Sequence, residues 1–262
     1  MTLAHEGSGK PILLSAVDVS VYYGNKKVVC DISLDVRSGE VFALLGPNGS
    51  GKSTVVKAFV RLAEKEGDVK ILNLPVESFT RKALARAAAY MPQKFQLVMP
   101  FKVMDVVLLG RYPWLSFLGD YSGKDLDLAR CNLDKVGMAG FEDRKITTLS
   151  GGEVQRVMIA QCLTQDASVM LLDEPTSALD PKYSIAVMRI LRNYVKNGRA
   201  VLCVMHDVNL ALRFADRVAL MKDGSVRYVC SSNEIDANML SDVFDVPWHI
   251  ETWQGGRIAL PL

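Results

Sequence analysis

A glycine-rich segment that follows a short apolar run constrains this chain more than any other feature. Val41–Leu45 is a continuous apolar run, and Gly46–Ser53, which reads GPNGSGKS, comes directly after it. A short continuous apolar run predicts a strand that is buried on both faces, as in a parallel sheet covered by helices. Glycines at this spacing allow successive backbone N–H groups to face a phosphate, and a helix from about Lys52 adds its positive end. The pattern therefore predicts a strand, a phosphate-binding loop and a helix, in that order.

The residue types in this loop have specific chemical uses. Lys52 can reach the β- and γ-phosphates of a nucleotide, and the hydroxyl of Ser53 can ligate Mg²⁺. The residues that we expect to hold the phosphates are Gly46, Pro47, Asn48, Gly49, Ser50, Gly51, Lys52, Ser53 and Thr54. The alternative is a glycine-rich turn without a ligand, but the strand before the loop and the helix after it favour phosphate binding.

A second apolar run ends in two adjacent carboxylates. Val169–Leu172 is followed by Asp173 and Glu174. Ligands of α/β sheets bind at the carboxyl ends of strands, and side chains alternate along a strand, so the two carboxylates should have different roles. Asp173 suits the coordination of Mg²⁺, and Glu174 suits orienting or deprotonating an attacking water. Alone the pair would indicate a solvated strand end, but behind a phosphate-binding loop we favour the functional interpretation.

The alternation of strands and helices predicts an α/β fold with a parallel sheet. Residues 12–45 have the pattern of strands, and residues 79–165 that of helices with loops. In the last third, Asp180-Pro181 predicts an N-cap followed by proline at the first helical position. A strand is predicted at Ala200–Met205, and Asp223-Gly224 predicts a hairpin turn.

The composition is ordinary for a packed protein and gives no strong charge. Lys and Arg total 31 against 29 Asp and Glu, a formal net charge of +2, so we expect no nucleic-acid partner. No apolar run approaches the roughly 18 residues that span a bilayer, so we expect a cytosolic protein that reaches a membrane only through a partner. The cysteines lack CxxC spacing, which argues against a zinc site. We interpret all of them as small core residues: Cys30, Cys131, Cys162, Cys203 and Cys230.

A third motif completes a recognisable series. Leu149–Gly152 reads LSGG, and Glu153 follows it. With this motif the chain resembles the nucleotide-binding subunits of ABC transporters over nearly its full length. The matching motifs, in order, are the phosphate loop at 46–53, a Q-loop glutamine at Gln93 in YMPQ, LSGG at 149–152, the acidic strand end at 169–174, a D-loop in SALD with Asp180, and a switch histidine at His206 in VMHD. The family often has Gln where this chain has Glu153, but Ser150 and Glu153 form an S-x-x-E capping box, in which glutamate serves as well.

The resemblance implies a P-loop NTPase fold with a RecA-like core, an antiparallel β subdomain and a helical subdomain. Residues 1–262 would form one ABC ATPase domain, with the helical subdomain inserted at about 94–165. The catalytic residues that it implies are Glu174, His206 and Gln93, and the Mg²⁺ ligands are Ser53, Gln93 and Asp173. It further implies that a tyrosine stacks on adenine, for which Tyr23 is preferred over Tyr22, and that Ser150, Gly151, Gly152 and Asp180 contact the nucleotide across a dimer.

The resemblance also implies partners. Two copies would enclose two ATP molecules, with Mg²⁺, and would bind two transmembrane permease subunits at the cytoplasmic side of the membrane. A substrate-binding protein would take part indirectly. The aromatic residues after Gln93 belong either to the core or to the surface that docks the membrane subunit: Phe95, Phe101, Tyr112, Trp114 and Phe117.

The segment Val107–Trp114, which reads VLLGRYPW, resembles the iron–siderophore branch of importers. Importers of haem, cobalamin, zinc or manganese are the alternatives for the cargo. A soluble ABC ATPase that acts outside transport is an alternative of another class, although those proteins usually carry two cassettes or a long coiled-coil insertion. A P-loop kinase or GTPase is disfavoured by the LSGG motif and by the absence of an NKxD motif.

Overall fold

The computed structural model describes residues 9–95, 99–116 and 119–262. The largest sheet consists of six strands, β3 (Val41–Leu45), β6 (Ala88–Met91), β7 (Val169–Asp173), β8 (Ala200–Val204), β9 (Arg217–Lys222) and β10 (Ser225–Ser231). Their spatial order is β10-β9-β3-β8-β7-β6. All neighbours are parallel except β9 and β10, which form the predicted hairpin at Asp223-Gly224. The sheet therefore brings the carboxyl ends of β3, β7 and β8 to one edge, where the loop and the carboxylates lie.

A second, antiparallel sheet lies over the first. Its strands are β1 (Ile12–Tyr23), β2 (Lys26–Arg37), β4 (Glu66–Ile71) and β5 (Leu74–Pro75), in the order β2-β1-β4-β5. A separate hairpin near the C-terminus consists of β11 (Trp248–Trp253) and β12 (Gly256–Pro261). The parallel sheet, the antiparallel sheet and the helices agree with the predicted three-part ABC ATPase fold.

Eight α-helices occur in the described part of the chain: α1 (Lys52–Phe59), α2 (Arg81–Ala87), α3 (Val103–Leu108), α4 (Gly123–Lys135), α5 (Gly151–Gln165), α6 (Pro181–Val195), α7 (Val208–Phe214) and α8 (Ala237–Phe244). A 3₁₀ helix at Leu109–Trp114 continues α3. The predicted cap of α6 is confirmed, because the Asp180 side chain accepts a hydrogen bond from the Tyr183 N–H at 3.0 Å and Pro181 follows it. Over the residues that the structure describes, no helix is both long and apolar enough to traverse a bilayer.

The parallel sheet is buried on both faces, as its apolar strands predict. Val41, Ala43 and Leu45 of β3 pack into a core that includes residues of α3, α5 and α6. Phe42 and Leu44 point to the opposite side, into the core shared with α1 and the antiparallel sheet. The carboxyl ends of the parallel strands, where the phosphate loop and the carboxylates lie, are therefore held between two layers of packed side chains.

Two details differ from the sequence predictions. The segment Ala88–Met91, inside the stretch predicted as helices and loops, forms strand β6, because it pairs in parallel with β7 from Val169 to Leu172. The prediction that all five cysteines are core residues is wrong. Cys162 and Cys203 are buried, but Cys131 is exposed on α4, and Cys30 and Cys230 are only partly buried.

Candidate nucleotide-binding site

The glycine-rich loop joins β3 to α1 and packs closely against β9. Gly46 has φ +152°, and a Cβ at this position would lie 2.1 Å from the carbonyl oxygen of Met221. Gly51 has φ +96° and precedes the first residue of α1. Both glycines are therefore required by the backbone, and the loop keeps a fixed shape in front of the positive end of α1.

Lys52 is buried and its ammonium group is held inside the loop. Its Nζ donates to the carbonyl oxygens of Gly46 at 2.8 Å and Pro47 at 2.9 Å. Burial lowers the pKa of Lys52, and the nearby carboxylates of Glu174 and Asp173 act against that effect. The buried hydroxyl of Ser50 in the same loop has no hydrogen-bond partner among the described residues. A positive charge and an unpaired hydroxyl thus lie where a phosphate fits.

Asp173 and Ser53 form a pair of oxygen ligands at the end of β7. The Ser53 hydroxyl donates to Oδ1 of Asp173 at 2.9 Å. Asp173 is 1% exposed, and burial raises the pKa of its carboxyl group, although the Ser53 hydroxyl acts in the opposite direction. Mg²⁺ prefers oxygen ligands and is usually held by one or two carboxylates together with phosphates, so this pair fits that ion.

Glu174 occupies an uncommon backbone conformation and contacts His206. Its φ is +54°, and its N–H donates to the carbonyl oxygen of Val204 on β8 at 3.1 Å. Its Oε1 is in hydrogen-bond contact with Nε2 of His206, which directly follows β8 and Met205. The carboxylate and the imidazole therefore lie together at the same edge of the sheet as the phosphate loop.

An open cleft of about 430 Å³ brings half of the predicted site residues together. Its lining consists of Val28, Asn48, Gly49, Gly51, Lys52, Ser53, Thr54, Gln93, Glu174 and His206. Val28 was not predicted. Tyr23 is outside this lining; it ends β1 and is 54% exposed.

The LSGG residues are separate from this cleft. Ser150 caps α5 in the predicted capping box, in which the Glu153 N–H donates to Ser150 Oγ at 3.4 Å and the Ser150 N–H donates to Glu153 Oε2 at 2.8 Å. The hydrogen bond from the Ser150 N–H lowers the pKa of Glu153. Neither Ser150, Gly151, Gly152 nor Asp180 is among the described residues that line the cleft. Within one copy of the chain, these four residues therefore lie outside the cleft that the phosphate loop lines.

One buried residue near the site was missed by sequence reasoning. Gln155 on α5 donates from Nε2 to the carbonyl oxygen of Glu174 at 2.8 Å. Its Oε1 accepts a hydrogen bond from the Ala178 N–H at 2.9 Å. No local pattern identifies it, because both partners lie about twenty positions further along the chain.

The aromatic residues after Gln93 occupy both exposed and core positions. Tyr112 is 66% exposed, and Phe101 and Trp114 are also exposed, whereas Phe95 packs against the core. The Trp114 indole is anchored, because its Nε1 donates to the Gln165 carbonyl oxygen at 2.8 Å. Phe117 lies outside the described residues. Phe95 therefore fits the core interpretation, whereas Phe101, Tyr112 and Trp114 remain candidates for the docking surface.

Sequence comparisons show the family of this chain. A sequence model described as ABC transporter matches residues 29–177. The hemin import ATP-binding protein HmuV of Thermobifida fusca is 38% identical over 256 residues, covering 96% of this chain and 88% of that protein. The petrobactin import ATP-binding protein FpuD of Bacillus anthracis is 34% identical over 237 residues, covering 89% of this chain and 87% of that protein.

Structural comparisons identify the same fold. A metal-chelate type ABC transporter, solved in an inward-facing conformation, has a TM-score of 0.82 at 23% identity, covering 96% of this chain and 98% of that one. A dimeric bacterial ABC transporter cassette has a TM-score of 0.75 at 28% identity, covering 85% of this chain and 100% of that one.

Proposed function

This chain belongs to the ABC transporter family, and we propose that it is the ATP-hydrolysing subunit of an importer for an iron chelate, either haem or a siderophore complex. The observation that carries the ATPase part is the cleft at the end of the parallel sheet. There residues of the phosphate loop, Glu174, Gln93 and His206 line one space. This combination supports binding and hydrolysis of a nucleoside triphosphate.

The proposed chemistry assigns one role to each group in the cleft. Lys52 and the loop N–H groups bind the β- and γ-phosphates, and Ser53, Asp173 and Gln93 would hold Mg²⁺. That ion would neutralise charge on the phosphates. Glu174 takes a proton from the attacking water, as its position at the end of β7 allows.

His206 keeps the Glu174 carboxylate in place through their direct contact and would bind the γ-phosphate. Tyr23, at the end of β1, remains our candidate for stacking on adenine.

We propose that the working unit is a dimer. Among the described residues, the LSGG motif does not line the cleft of the phosphate loop, so a second copy in head-to-tail orientation would supply Ser150, Gly151, Gly152 and the Asp180 segment. The dimeric cassette of similar fold supports this proposal. The bound ATP would then lie between two copies, and closure of the dimer would depend on nucleotide binding.

The permease would dock beside the Q-loop. The exposed side chains of Tyr112 and Trp114 support this, because exposed apolar side chains flanked by charged residues are typical of a protein interface. Phe101 is exposed as well and is a further candidate contact. Lys82 lies over the Tyr112 ring, and Arg86 and Arg111 flank the Trp114 ring. The surface would place the chain at the cytoplasmic side of the membrane through its partner.

The cargo is proposed from the relatives. The full-length similarity to hemin and petrobactin import proteins favours an iron chelate over cobalamin, zinc or manganese. The subunit does not bind the cargo itself, so the test uses the complete transporter. Proteoliposomes that contain the permease and this subunit should hydrolyse ATP faster when the loaded binding protein carries the true cargo. Stimulation by neither haem nor a ferric siderophore would refute the cargo proposal.

Hydrolysis by the purified subunit tests the site. We expect Lys52→Ala to lose Mg-ATP hydrolysis and keep its circular dichroism spectrum. Lys70→Ala, which removes an exposed lysine on β4, is the matched control and should keep the parent rate. Equal rates for the Lys52→Ala variant and the parent would remove the phosphate-loop assignment.

A further inference from the structure

Gln155 connects the start of α5 to the segment that carries Glu174. Gln155 is 4% exposed, and its amide group donates one hydrogen bond to this segment and accepts another from it. The bond to the Glu174 carbonyl oxygen holds one end of the segment 174–178, and the bond from the Ala178 N–H holds the other. One amide group therefore fixes both ends of a turn.

The turn starts at a residue that needs such support. Glu174 has φ +54°, which a residue with a Cβ rarely adopts, so its conformation must be imposed by the surroundings. Its N–H is bonded to β8, and its carbonyl oxygen accepts from Gln155 at 2.8 Å and from the Ser177 hydroxyl at 3.1 Å. Of these contacts, only that of Gln155 comes from outside the sheet and the turn itself.

Gly152 provides a second close contact between α5 and the turn 174–178. A Cβ on Gly152 would lie 2.9 Å from the Ala178 carbonyl oxygen, so the first turn of α5 rests directly on the segment that Gln155 holds. Gln155 lies one helical turn after Gly151 and is rigidly connected to it. A displacement of the LSGG residues would therefore move the Gln155 amide group and, through it, the backbone of Glu174.

We propose that Gln155 is a positioning residue for hydrolysis, which holds the Glu174 carboxylate in its working orientation and ties it to the LSGG end of α5. The proposal rests on the catalytic role assigned above to Glu174. Gln155 does not line the cleft, so it should affect the chemical step and leave nucleotide binding unchanged. Misplacement of a catalytic group by about 1 Å can lower the rate by roughly 100-fold.

The test compares two variants on the same helix. Gln155→Met keeps the length and flexibility of the side chain and removes both hydrogen bonds. Thr164→Val is the matched control, because it removes a buried hydroxyl that donates to the Ala160 carbonyl oxygen and accepts from Asn132 near the other end of α5. Both variants should lower Tm by a few degrees. We expect only Gln155→Met to lower kcat by about 10- to 100-fold, with an unchanged Kd for a fluorescent ATP analogue.

The remaining outcomes of this comparison would each overturn the proposal for Gln155 or the role of Glu174. Equal kcat losses in Gln155→Met and Thr164→Val would mean that Gln155 only stabilises the fold, and a parent-like kcat for Gln155→Met would overturn the proposal. If Gln155→Met does not fold, Gln155→Glu replaces it, since the ionised carboxylate keeps the acceptor for Ala178 and lacks the donor for Glu174. A parent-like kcat for Gln155→Glu would then overturn the proposal. Glu174→Gln is assayed in parallel, and a parent-like rate there would refute the role of Glu174 rather than that of Gln155.

Discussion

Gly151 is a glycine for which this chain alone gives no reason. It is the first residue of α5, its φ is not in the left-handed region, and a Cβ built there would meet nothing within 4 Å. In the proposed dimer the missing neighbour is a nucleotide bound to the other copy. We therefore predict that Gly151→Asp folds normally and loses ATP hydrolysis.

Gly151→Asp should stabilise the isolated chain and disfavour binding to a nucleotide on the other copy. Replacing glycine in a helix gains roughly 0.5 kcal/mol, and a carboxylate in the first turn gains about 0.3–1 kcal/mol from the helix dipole. The free energy of unfolding should rise by about 1 kcal/mol, a Tm increase of roughly 2–4 °C. Against a phosphate about 4 Å away, the same carboxylate is repelled by about 4 kcal/mol at an effective dielectric constant near 20, which weakens engagement about 1000-fold.

Three measurements on purified protein separate these effects. Differential scanning calorimetry gives Tm, a fluorescent ATP analogue gives the Kd of the isolated subunit, and phosphate release at saturating Mg-ATP gives kcat. We expect a slightly higher Tm, an unchanged Kd and a kcat at least 100-fold lower. Gly151→Ala, which adds a methyl group without charge, should lose less activity. The reasoning would be refuted by a Gly151→Asp protein that hydrolyses ATP at the parent rate, or by one whose Tm falls sharply.

Three further predictions follow from the cleft and the docking surface. Lys52→Ala should weaken the Kd for ATP about 30-fold, since a charge-assisted hydrogen bond contributes about 2 kcal/mol; titration calorimetry measures this, and an unchanged Kd would exclude the contact. Burial raises the pKa of Asp173, so at neutral pH its ionised form costs stability. Asp173→Asn should therefore raise the free energy of unfolding at pH 7 while losing Mg²⁺-dependent hydrolysis; a lower free energy in urea unfolding at pH 7 would contradict this. Tyr112→Ala should abolish co-purification with the permease and keep basal ATPase activity, whereas Trp253→Ala, which truncates a similarly exposed aromatic residue on β11, should keep both.

Local motifs made much of the fold and the cleft predictable from the sequence. The phosphate loop, the carboxylates at the end of β7 and the caps of α5 and α6 depend on residues within a few positions of one another. The capping box of α5, the N-cap of α6 and the hairpin turn formed as expected. Because each of these segments depends on residues that are close in the sequence, its structure could be predicted from the sequence.

Long-range contacts decided the features that were missed. Ala88–Met91 is rich in alanine, which favours a helix, and becomes β6 only because β7 offers a free edge. Gln155 gains its partners only when the turn 174–178 packs against α5. The exposure of Cys131 depends on which face of α4 meets the core. None of these follows from a local pattern, because each depends on residues distant in the sequence.

The central claim is that ATP binds between two copies of this chain and that Glu174 activates the water that ends this state. Glu174→Gln keeps the size and polarity of the side chain and removes the carboxylate. Size-exclusion chromatography with light scattering on Glu174→Gln, with and without Mg-ATP, tests the claim most directly. We predict a monomer without nucleotide and a persistent dimer of about twice the mass with Mg-ATP, at a hydrolysis rate reduced about 100-fold or more. A variant that binds ATP at saturation and remains monomeric would contradict the account.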